Sequence, residues 1–325
     1  MSDPLPLLVE ELREKRVLVT GASGRIGARL VQVFLTNGVE LRGLYRRLPR
    51  EQMPGLQAIR GDLLDAESLN AALQGVDLVF HLASYAPGIR ETAPEDHPLH
   101  REVSVQGTRN LLAASRQAGV RRLVFASSTR VMDGSDSLYA RSKKTAESLI
   151  LAERDSLETV ILRLAPVYGF PRQGSIALML AAIDQGRFPS LPDFAERRSL
   201  VHVDDVVQAL LLSAIRAEAA GKTFVVTDMQ EYSSRRIYEL ICQALGRTPV
   251  PSRIPVWLLR TGAAAGSLLQ FLLRRPMPLT MERLDRLRRS AWFDAAPVAR
   301  ELGYRPRYDL QSALPGIIEA YRSGS

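Results

Sequence analysis

The amino-acid sequence predicts an α/β protein with a doubly wound parallel sheet and a smaller, mostly helical substrate domain built from C-terminal insertions. A glycine-rich turn, GASGRIG at residues 21–27, joins a short apolar run to a segment whose apolar residues have helical spacing. Apolar runs typical of buried strands then alternate with helical segments through the first half of the chain. Such alternation is typical of parallel strands joined by right-handed crossovers.

Composition limits the possible classes of protein. The chain has 325 residues, 46% of them hydrophobic, which suits one large or two modest domains. A single cysteine, Cys242, rules out an internal disulfide, and no metal site is expected. The net charge is +8, but the arginines are dispersed among acids without a nucleic-acid module, so we expect no nucleic-acid partner. The N-terminus does not resemble a signal peptide, so we expect a cytoplasmic protein.

The first strand and helix surround the glycine turn. The spacing Gly21, Gly24, Gly27 suits a tight turn, a close approach of a pyrophosphate to the backbone, and close packing of helix on strand. The start of the helix adds positive potential for phosphates. This stretch therefore predicts dinucleotide binding, although a glycine-rich turn also occurs in doubly wound proteins without this function.

The second strand, residues 39–45, runs directly into Arg46 and Arg47. An acid at this position would accept hydrogen bonds from the ribose of NAD, whereas arginine can pair with the 2′-phosphate of NADP. The sequence therefore favours NADP, with NAD as the less favoured cofactor. The alternative is that both arginines only solvate the end of the strand.

Three further strands are predicted to end at the same edge of the sheet. Residues 56–62 end with Asp62, residues 76–83 carry His81, and residues 122–128 end with Ser127 and Ser128. We expect His81 to line the cofactor site through its backbone. Residues 84–98 are predicted to be a loop over the site, and residues 101–118 a long helix. His97 and His100 have no evident partner in the sequence.

The segment YARSK, residues 139–143, predicts the reactive groups. Tyr139 and Lys143 are four residues apart, so they share one face of a helix. A nearby ammonium favours the phenolate and makes tyrosine a better group for proton transfer.

Eight motifs in one order resemble the extended short-chain dehydrogenases/reductases, the group that includes nucleotide-sugar epimerases and 3β-hydroxysteroid dehydrogenases. They are GASGRIG, Asp62 after its glycine, HLAS at 81–84, VQGTRNLL at 105–112, FASS at 125–128, YARSK, LRLAPVYG at 162–169 and VHVDDVVQA at 201–209. The resemblance runs from about residue 15 to beyond residue 300. It implies a Rossmann-type fold and hydride transfer with a nicotinamide cofactor.

The resemblance also implies roles for particular residues. Ser128 would hydrogen-bond the reacting oxygen, Tyr139 would give or take its proton, and Lys143 would also hold the nicotinamide ribose. It further implies cofactor contacts at Gly21, Gly24, Gly27, Asp62, Leu82, Ala83, Ser84 and Pro166. We also expect cofactor contacts at Ser23, Arg25, Ile26, Arg46, Arg47, Leu63 and Val167. Substrate contacts are expected at Ser84, Ser128, Thr129, Arg172 and Arg198.

Departures from the family pattern limit this transfer. Ser104 stands where asparagine is frequent, and the loop between Ser128 and Tyr139 is short. Residues 128–130 also lack the Thr-Asp-Glu arrangement of the sugar dehydratases, so elimination of water is disfavoured.

The second half of the chain predicts insertions that form the substrate domain. Helices are expected at 175–185 and 204–217, the latter capped by Asp204, and strands at 199–203 and 222–227. The predicted cofactor domain is 1–170 with about 199–230, and the substrate domain about 171–198 with 231–325. Arg172, Arg197 and Arg198 are candidates to bind an anionic group there. The apolar stretch 254–273 is too interrupted to span a membrane; a buried helix is preferred and a peripheral membrane contact stays open.

Three functions are compatible with the sequence. The first is an NADP-dependent oxidoreductase or epimerase acting on a nucleotide sugar, favoured by the arginines of the second half. The second is a ketone reductase or alcohol dehydrogenase for an apolar ring compound, favoured by the apolar stretch 254–273. A non-catalytic NADP-binding protein is disfavoured because it would not need Ser128, Tyr139 and Lys143. The family resemblance also implies a homodimer through the helices near 101–118 and 138–154.

Overall fold

The computed structural model describes residues 3–85, 97–188, 192–251, 256–273 and 281–323. The chain divides into two compact units. The first comprises Met1–Val167, Val203–Thr227 and Asp294–Arg307, and the second Tyr168–His202, Asp228–Phe293 and Tyr308–Ser325. That the units are a cofactor domain and a substrate domain stays a prediction.

Regular elements follow each other in the alternating order that the sequence predicts for the first unit. The strands in the described part of the chain are β1 (Val17–Thr20), β2 (Leu41–Tyr45), β3 (Leu56–Arg60), β4 (Leu78–His81), β5 (Arg122–Ser128), β6 (Glu158–Leu164), β7 (Val167–Tyr168), β8 (Val201–His202) and β9 (Thr223–Val226). The helices there are α1 (Leu5–Glu10), α2 (Arg25–Thr36), α3 (Ala66–Leu73), α4 (Leu99–Arg101), α5 (Gly107–Gln117), α6 (Leu138–Ala152), α7 (Ser175–Asp184), α8 (Val203–Ile215), α9 (Ser234–Ala244), α10 (Val256–Leu273), α11 (Met281–Arg288), α12 (Ala296–Leu302) and α13 (Leu310–Ser323).

The first unit contains a seven-stranded parallel sheet in the order β3-β2-β1-β4-β5-β6-β9. Strand order reverses beside β1, between β2 on one side and β4 on the other. Ligands of such sheets bind at the carboxyl ends of the strands near this reversal. The predicted doubly wound parallel sheet is confirmed.

Helices cover both faces of this sheet, which explains why its central strands are continuously apolar. Val79, Leu123 and Ile161 pack in one buried cluster with residues of α3, α5 and α6. Phe80, the next residue along β4, points the other way and meets Phe34 of α2, with ring centroids 6.3 Å apart. Core residues therefore pack against β4 on both faces of the sheet.

The helix predicted over 101–118 is not continuous. It consists of α4, a π-helical turn at Glu102–Gln106, and α5. The hydroxyl of Thr108 donates to the carbonyl oxygen of Ser104 at 2.6 Å across the end of this turn. Single π-helical turns insert an extra residue and often occur at functional sites. Spacing of apolar residues alone does not reveal such an insertion.

The predicted capping role of Asp204 is wrong, because α8 begins one residue earlier, at Val203. Asp204 instead lies in the first turn of α8 and pairs with Arg29 of α2, at 2.5 Å between Oδ1 and Nε. The carboxylate still lies near the positive end of the helix, where it is favoured.

Residues 294–307, which the sequence-based boundary gave to the substrate domain, belong to the first unit. The hydroxyl of Tyr304 donates to the carbonyl oxygen of Thr227 at 2.9 Å, just beyond β9. Lys222 pairs with Glu301 of α12 at 2.7 Å. This segment therefore returns to the last strand of the sheet after the chain has formed most of the second unit.

The second unit is mostly helical. Its core joins Leu180 of α7, Ile237 and Ile241 of α9, and Leu314 and Ile318 of α13. Besides its helices, this unit contains β8, which pairs with β7 in a two-stranded sheet. The division between the two units falls within β7, between Val167 and Tyr168. The apolar stretch 254–273 contributes α10, and its first two residues lie outside the described residues. In the described part of the chain, no helix has the length and apolar character needed to cross a membrane.

Candidate active site

The glycine turn at the end of β1 has a geometry that excludes side chains. Gly21 has a φ of +72°, and a Cβ there would lie 2.6 Å from the backbone nitrogen of Ala83. A Cβ on Gly27 would lie 2.1 Å from the carbonyl oxygen of Gly21. The turn is closed by the N–H of Gly24, which donates to that same oxygen at 2.9 Å. Only glycine fits at Gly21 and Gly27.

This turn fits the pyrophosphate of a dinucleotide. Gly24 is the N-cap of α2 and has no side chain to accept hydrogen bonds from the first N–H groups of the helix. Ser23, Gly24 and Arg25 are exposed, while Ile26 is half-buried. Anions bind at such helix starts because N–H groups and the helix dipole both favour negative charge.

A chain of hydrogen bonds lies beneath this turn and crosses the middle of the sheet. The hydroxyl of Thr20 accepts a hydrogen bond from the N–H of Ala83 at 3.4 Å and lies 2.8 Å from Nδ1 of His81. The other ring nitrogen of His81, Nε2, lies 3.0 Å from the hydroxyl of Thr108. Because Thr108 donates to Ser104, it accepts from Nε2–H of His81. Nδ1 is then the acceptor for the Thr20 hydroxyl, which fixes the neutral tautomer.

His81 is therefore a buried connector of β1, β4 and α5. Its side chain is fully buried. Burial and the positive charge of Lys143 lower the pKa of His81 to about 3. The expectation that it lines the cofactor site through its backbone stays a prediction; the structure adds a side-chain role that the sequence analysis missed.

The ends of β2 and β3 carry the residues predicted to bind the adenosine part of the cofactor. Tyr45 is buried, and burial raises the pKa of its phenol. Arg46 and Arg47, which follow it, are exposed. Asp62 is half-buried, and its Oδ1 accepts from the N–H of Leu64 at 3.0 Å.

The backbone of Leu63 accepts a hydrogen bond from a residue of α5 that the sequence analysis did not single out. The side-chain amide of Asn110, on α5, donates to the carbonyl oxygen of Leu63 at 2.9 Å. A Cβ on Gly107 would lie 2.8 Å from Cβ of Leu63, so α5 approaches this loop closely. Gly107 and Asn110 both belong to the motif VQGTRNLL, which could have indicated this contact.

The hydroxyl groups at the end of β5 have different surroundings. Ser127 is buried and donates to Glu147 at 2.6 Å. Ser128 is half-buried, and its Oγ accepts from the N–H of Arg130 at 3.3 Å. Thr129 is buried and donates to the carbonyl oxygen of Leu164 at 3.3 Å. Ser128 is thus the most accessible of the three candidates, and the hydroxyl of Thr129 is already engaged with the backbone.

Helix α6 carries the predicted reactive pair. It begins after Ser137, whose Oγ accepts from the N–H of Ala140 at 3.3 Å and caps the helix. Tyr139 is half-buried, whereas Lys143 is buried. The ammonium of Lys143 donates to the carbonyl oxygen of Ala126, in β5, at 2.9 Å.

The ammonium of Lys143 also lies 4.6 Å from the ring centroid of Phe125. Burial lowers the pKa of Lys143 to about 8, against the opposing effect of the Glu147 carboxylate. An ammonium held in such surroundings has a stronger electrostatic effect on its neighbours than one in water.

A group of aromatic rings extends from Tyr139. The ring of His100 lies 5.3 Å from the ring of Tyr139, nearly perpendicular to it. Tyr85 packs at 5.0 Å against His100 and at 4.7 Å against His97. The sequence analysis gave His97 and His100 no role; their approach depends on α4 and on the backbone after β4. Residues 86–96, in the predicted loop 84–98, lie outside the described residues.

The remaining predicted contacts in the first unit lie near strand ends. Leu82, Ala83 and Ser84 follow β4 and are half-buried. Pro166 is exposed and Val167 half-buried, directly after β6. Their contact with a cofactor stays a prediction.

Two of the three candidate arginines of the second unit are ion-paired. Arg198 donates from Nε to Glu196 at 3.3 Å, and Glu196 is buried. Arg197 pairs with Glu231 at 2.5 Å and packs over the ring of Trp292. Arg172 is exposed. Among the described residues, no cluster of three or more His, Cys, Asp or Glu could hold a metal ion.

The sheet order and the glycine turn at the strand reversal define a fold of the Rossmann type, which is common among dinucleotide-binding proteins. Residues 17–227 match the NAD dependent epimerase/dehydratase family. The chain belongs to this family and is an extended short-chain dehydrogenase/reductase, an oxidoreductase of the NAD-dependent epimerase/dehydratase type.

Similar proteins include both reductases and sugar-nucleotide enzymes. The human short-chain dehydrogenase/reductase family 42E member 1 is 30% identical, over 93% of this chain and 87% of that protein. The 2-alkyl-3-oxoalkanoate reductase of Stenotrophomonas maltophilia is 29% identical, over 92% and 97%. The 3 beta-hydroxysteroid dehydrogenase/Delta 5-->4-isomerase of Mycobacterium tuberculosis is 29% identical, over 95% and 90%. Among solved structures, MoeE5 in complex with UDP-glucose and NAD has a TM-score of 0.73 at 28% identity, covering 95% of this chain and all of that one (100%).

Proposed function

We propose that the protein is an NAD(P)-dependent ketone reductase or alcohol dehydrogenase whose substrate is an apolar ring compound. The aromatic packing next to Tyr139 carries this proposal: the ring of His100 packs on Tyr139, and Tyr85 and His97 extend this group of rings away from it. The relative named for a 3 beta-hydroxysteroid substrate supports a ring compound. The relative named for a 2-alkyl-3-oxoalkanoate supports reduction of an apolar ketone, although its substrate is an open chain.

The chain's own residues have distinct roles in this proposal. When bound, the nicotinamide supplies or accepts the hydride. Ser128 donates a hydrogen bond to the reacting oxygen, and Tyr139 gives that oxygen its proton during reduction or removes it during oxidation. The buried ammonium of Lys143 stabilises the phenolate that remains after proton donation. The Gly21–Gly27 turn holds the pyrophosphate.

NADP is the proposed preferred cofactor, because Arg46 and Arg47 are exposed directly after β2 and can pair with a 2′-phosphate. The family and the solved neighbours bind NAD, so the preference must be measured for this chain. Titration of cofactor fluorescence with NADPH and NADH gives the two dissociation constants. Tighter binding of NADH would refute the proposed role of the arginines.

A nucleotide sugar is the second candidate substrate, in an oxidoreductase or epimerase reaction. MoeE5, solved with UDP-glucose and NAD, favours it. The ion pairs of Arg197 and Arg198 oppose it, because a diphosphate would have to compete with Glu231 and Glu196 for these guanidinium groups. Exposed Arg172 remains as a candidate contact for the diphosphate.

The experiment that separates the two candidates is a substrate panel followed by absorbance of the reduced nicotinamide. The panel contains ketosteroids, hydroxysteroids and long-chain 3-oxo acids in one arm, and UDP- and dTDP-sugars in the other, each with both cofactors. Because epimerisation causes no net oxidation, products of the second arm are also separated by chromatography. Turnover of apolar compounds alone is the expected result; turnover of nucleotide sugars alone would contradict the proposed substrate class.

A homodimer and a cytoplasmic location remain proposals that follow from the family and the sequence. Sedimentation equilibrium of the whole chain tests the dimer. Substitution of exposed residues on α5 or α6, such as Arg109→Glu, should weaken the dimer if these helices form its interface. A monomer at micromolar concentration would contradict the proposed interface.

A further inference from the structure

A buried carboxylate, Glu147, pairs with a half-buried arginine, Arg163, next to the proposed reactive lysine along α6. Glu147 follows Lys143 by one helical turn on α6 and is only 3% exposed. Its carboxylate accepts from Nη2 of Arg163, on β6, at 2.6 Å and from Nε at 3.0 Å. The same carboxylate accepts from the hydroxyl of Ser127 at 2.6 Å. The hydroxyl and the guanidinium thus hold Glu147 in a fixed position.

The positions of these charges couple them to Lys143. Residues four apart on a helix are neighbours, so the negative charge of Glu147 acts on the Lys143 ammonium at short range. The guanidinium of Arg163 binds this carboxylate directly, and its positive charge opposes the effect of the negative charge. Removing Glu147 would leave two cations near each other, whereas removing Arg163 would leave the carboxylate to act on Lys143 alone.

The other titratable groups around α6 include two histidines, two ion pairs and three exposed charged residues. His81 on β4 is held in its neutral tautomer by two hydroxyl groups. His100, next to the π-helical turn, packs on the ring of Tyr139. Ion pairs join Arg116 of α5 to Glu153, and Arg130 to Asp133 in the loop before α6. Arg109 of α5 is exposed, as are Arg101 of α4 and Glu102 of the π-helical turn.

We propose that the Glu147–Arg163 pair controls the charge on the Lys143 ammonium, with Glu147 favouring the charged form and Arg163 opposing it. Both are positioning residues, because they act through Lys143 and contact neither cofactor nor substrate in this scheme. If the proposed function holds, the pair thereby sets the pH range in which Tyr139 can transfer a proton. This last consequence rests on the proposed function; the electrostatic control does not.

The lysine content of the chain makes a direct measurement practical. The sequence has four lysines, Lys15, Lys143, Lys144 and Lys222. Incorporation of lysine labelled with ¹³C at Cε therefore gives four NMR signals, and Lys143→Arg assigns the one that matters. The pH dependence of its chemical shift reports the charge on Lys143 without any catalytic turnover. The wild-type midpoint is expected near pH 8.

The two single variants are expected to shift this midpoint in opposite directions, and the double variant is expected to lie between them. Glu147→Gln keeps an oxygen for Ser127 but removes the charge, and we expect the midpoint to fall by about one pH unit or more. Arg163→Gln removes the cation, and we expect the midpoint to rise. The double variant Glu147→Gln/Arg163→Gln should lie between the two single variants. Circular dichroism confirms that each variant is folded under the conditions of the titration.

A purely structural role for the pair predicts lower stability without this order of midpoints. Equal midpoints in all folded variants, or a shift in the same direction for both single variants, would overturn the proposal. If Glu147→Gln does not fold, the rise expected for Arg163→Gln still decides the question. If the proposed function is right, the pH profile of kcat should shift together with the NMR midpoint. If the midpoints shift as expected but neither the wild type nor any variant turns over a compound of the panel, the proposed function is wrong and the electrostatic control stands.

Discussion

The hydrogen-bond chain through His81 predicts that the first unit loses stability in mild acid. His81 is fully buried, and both ring nitrogens are engaged with hydroxyl groups in the neutral form. In the unfolded chain its pKa is expected at about 6.5, whereas in the fold it is lowered to about 3. At pH values between these two pKa values, His81 is therefore protonated in the unfolded state and neutral in the folded state.

The sign and size of the effect follow from this difference. Stability due to neutral His81 is present above pH 6.5 and is lost as the pH falls towards 3. At pH 7.5 the histidine of the unfolded chain is mostly neutral, whereas pH 5.0 lies about 1.5 units below its unfolded pKa. At 1.36 kcal/mol per unit, its protonation lowers the free energy of unfolding by roughly 2 kcal/mol. His81→Phe removes the titrating group and leaves the other groups of the protein unchanged.

The assay is urea unfolding of wild type and His81→Phe at both pH values. His81→Phe should be less stable at pH 7.5, since Thr20 loses a buried acceptor, but the stability gap should shrink by roughly 2 kcal/mol at pH 5.0. Thr108→Val is the control: it removes one partner of the histidine but keeps the ring, so its pH dependence should stay close to that of wild type. A gap that is the same at both pH values for His81→Phe would refute the reasoning.

Three further predictions follow from the same unit. Gly27→Ala should abolish cofactor binding or folding, because its Cβ would lie 2.1 Å from the oxygen of Gly21; cofactor titration and circular dichroism distinguish the two, and a normal dissociation constant would contradict the turn geometry. Lys143→Met should be more stable than wild type at pH 7 by up to roughly 3 kcal/mol, because a charged lysine is unfavourable in the buried site. This difference in stability should vanish as the pH rises from about 8 towards 10.5, and thermal unfolding across this range measures it. Arg46→Ser combined with Arg47→Ser should weaken NADPH binding about tenfold and leave NADH binding unchanged, and equal losses for both cofactors would contradict the 2′-phosphate role.

Strands and the glycine turn were predictable because their signals are local. The run 122–128 became β5 with the predicted bounds, since a strand buried on both faces has to be apolar throughout. The spacing of Gly21, Gly24 and Gly27 predicted a tight turn with close packing of helix on strand. The structure has this turn, and it leaves no room for a Cβ on Gly21 or Gly27. Periodicity and glycine spacing reflect the backbone of a few consecutive residues.

Features that depend on residues distant in sequence were not predictable in this way. The π-helical turn at Glu102–Gln106 leaves the amphipathic pattern of the helix almost unchanged, so the pattern indicated one continuous helix. The contact of His100 with Tyr139 depends on how that turn places α4. The ion pair between Arg198 and buried Glu196 was also not predicted, because a separation of two residues in sequence does not indicate that two side chains meet.

The central claim is that Tyr139 transfers the proton that accompanies hydride transfer. The most direct test is single-turnover oxidation of bound NADPH or NADH by a carbonyl substrate from the panel, compared between wild type and Tyr139→Phe. The variant keeps the ring that packs on His100, so its cofactor dissociation constant should not change. We predict that its rate falls by about 10²- to 10⁴-fold. A rate equal to that of wild type would contradict the account.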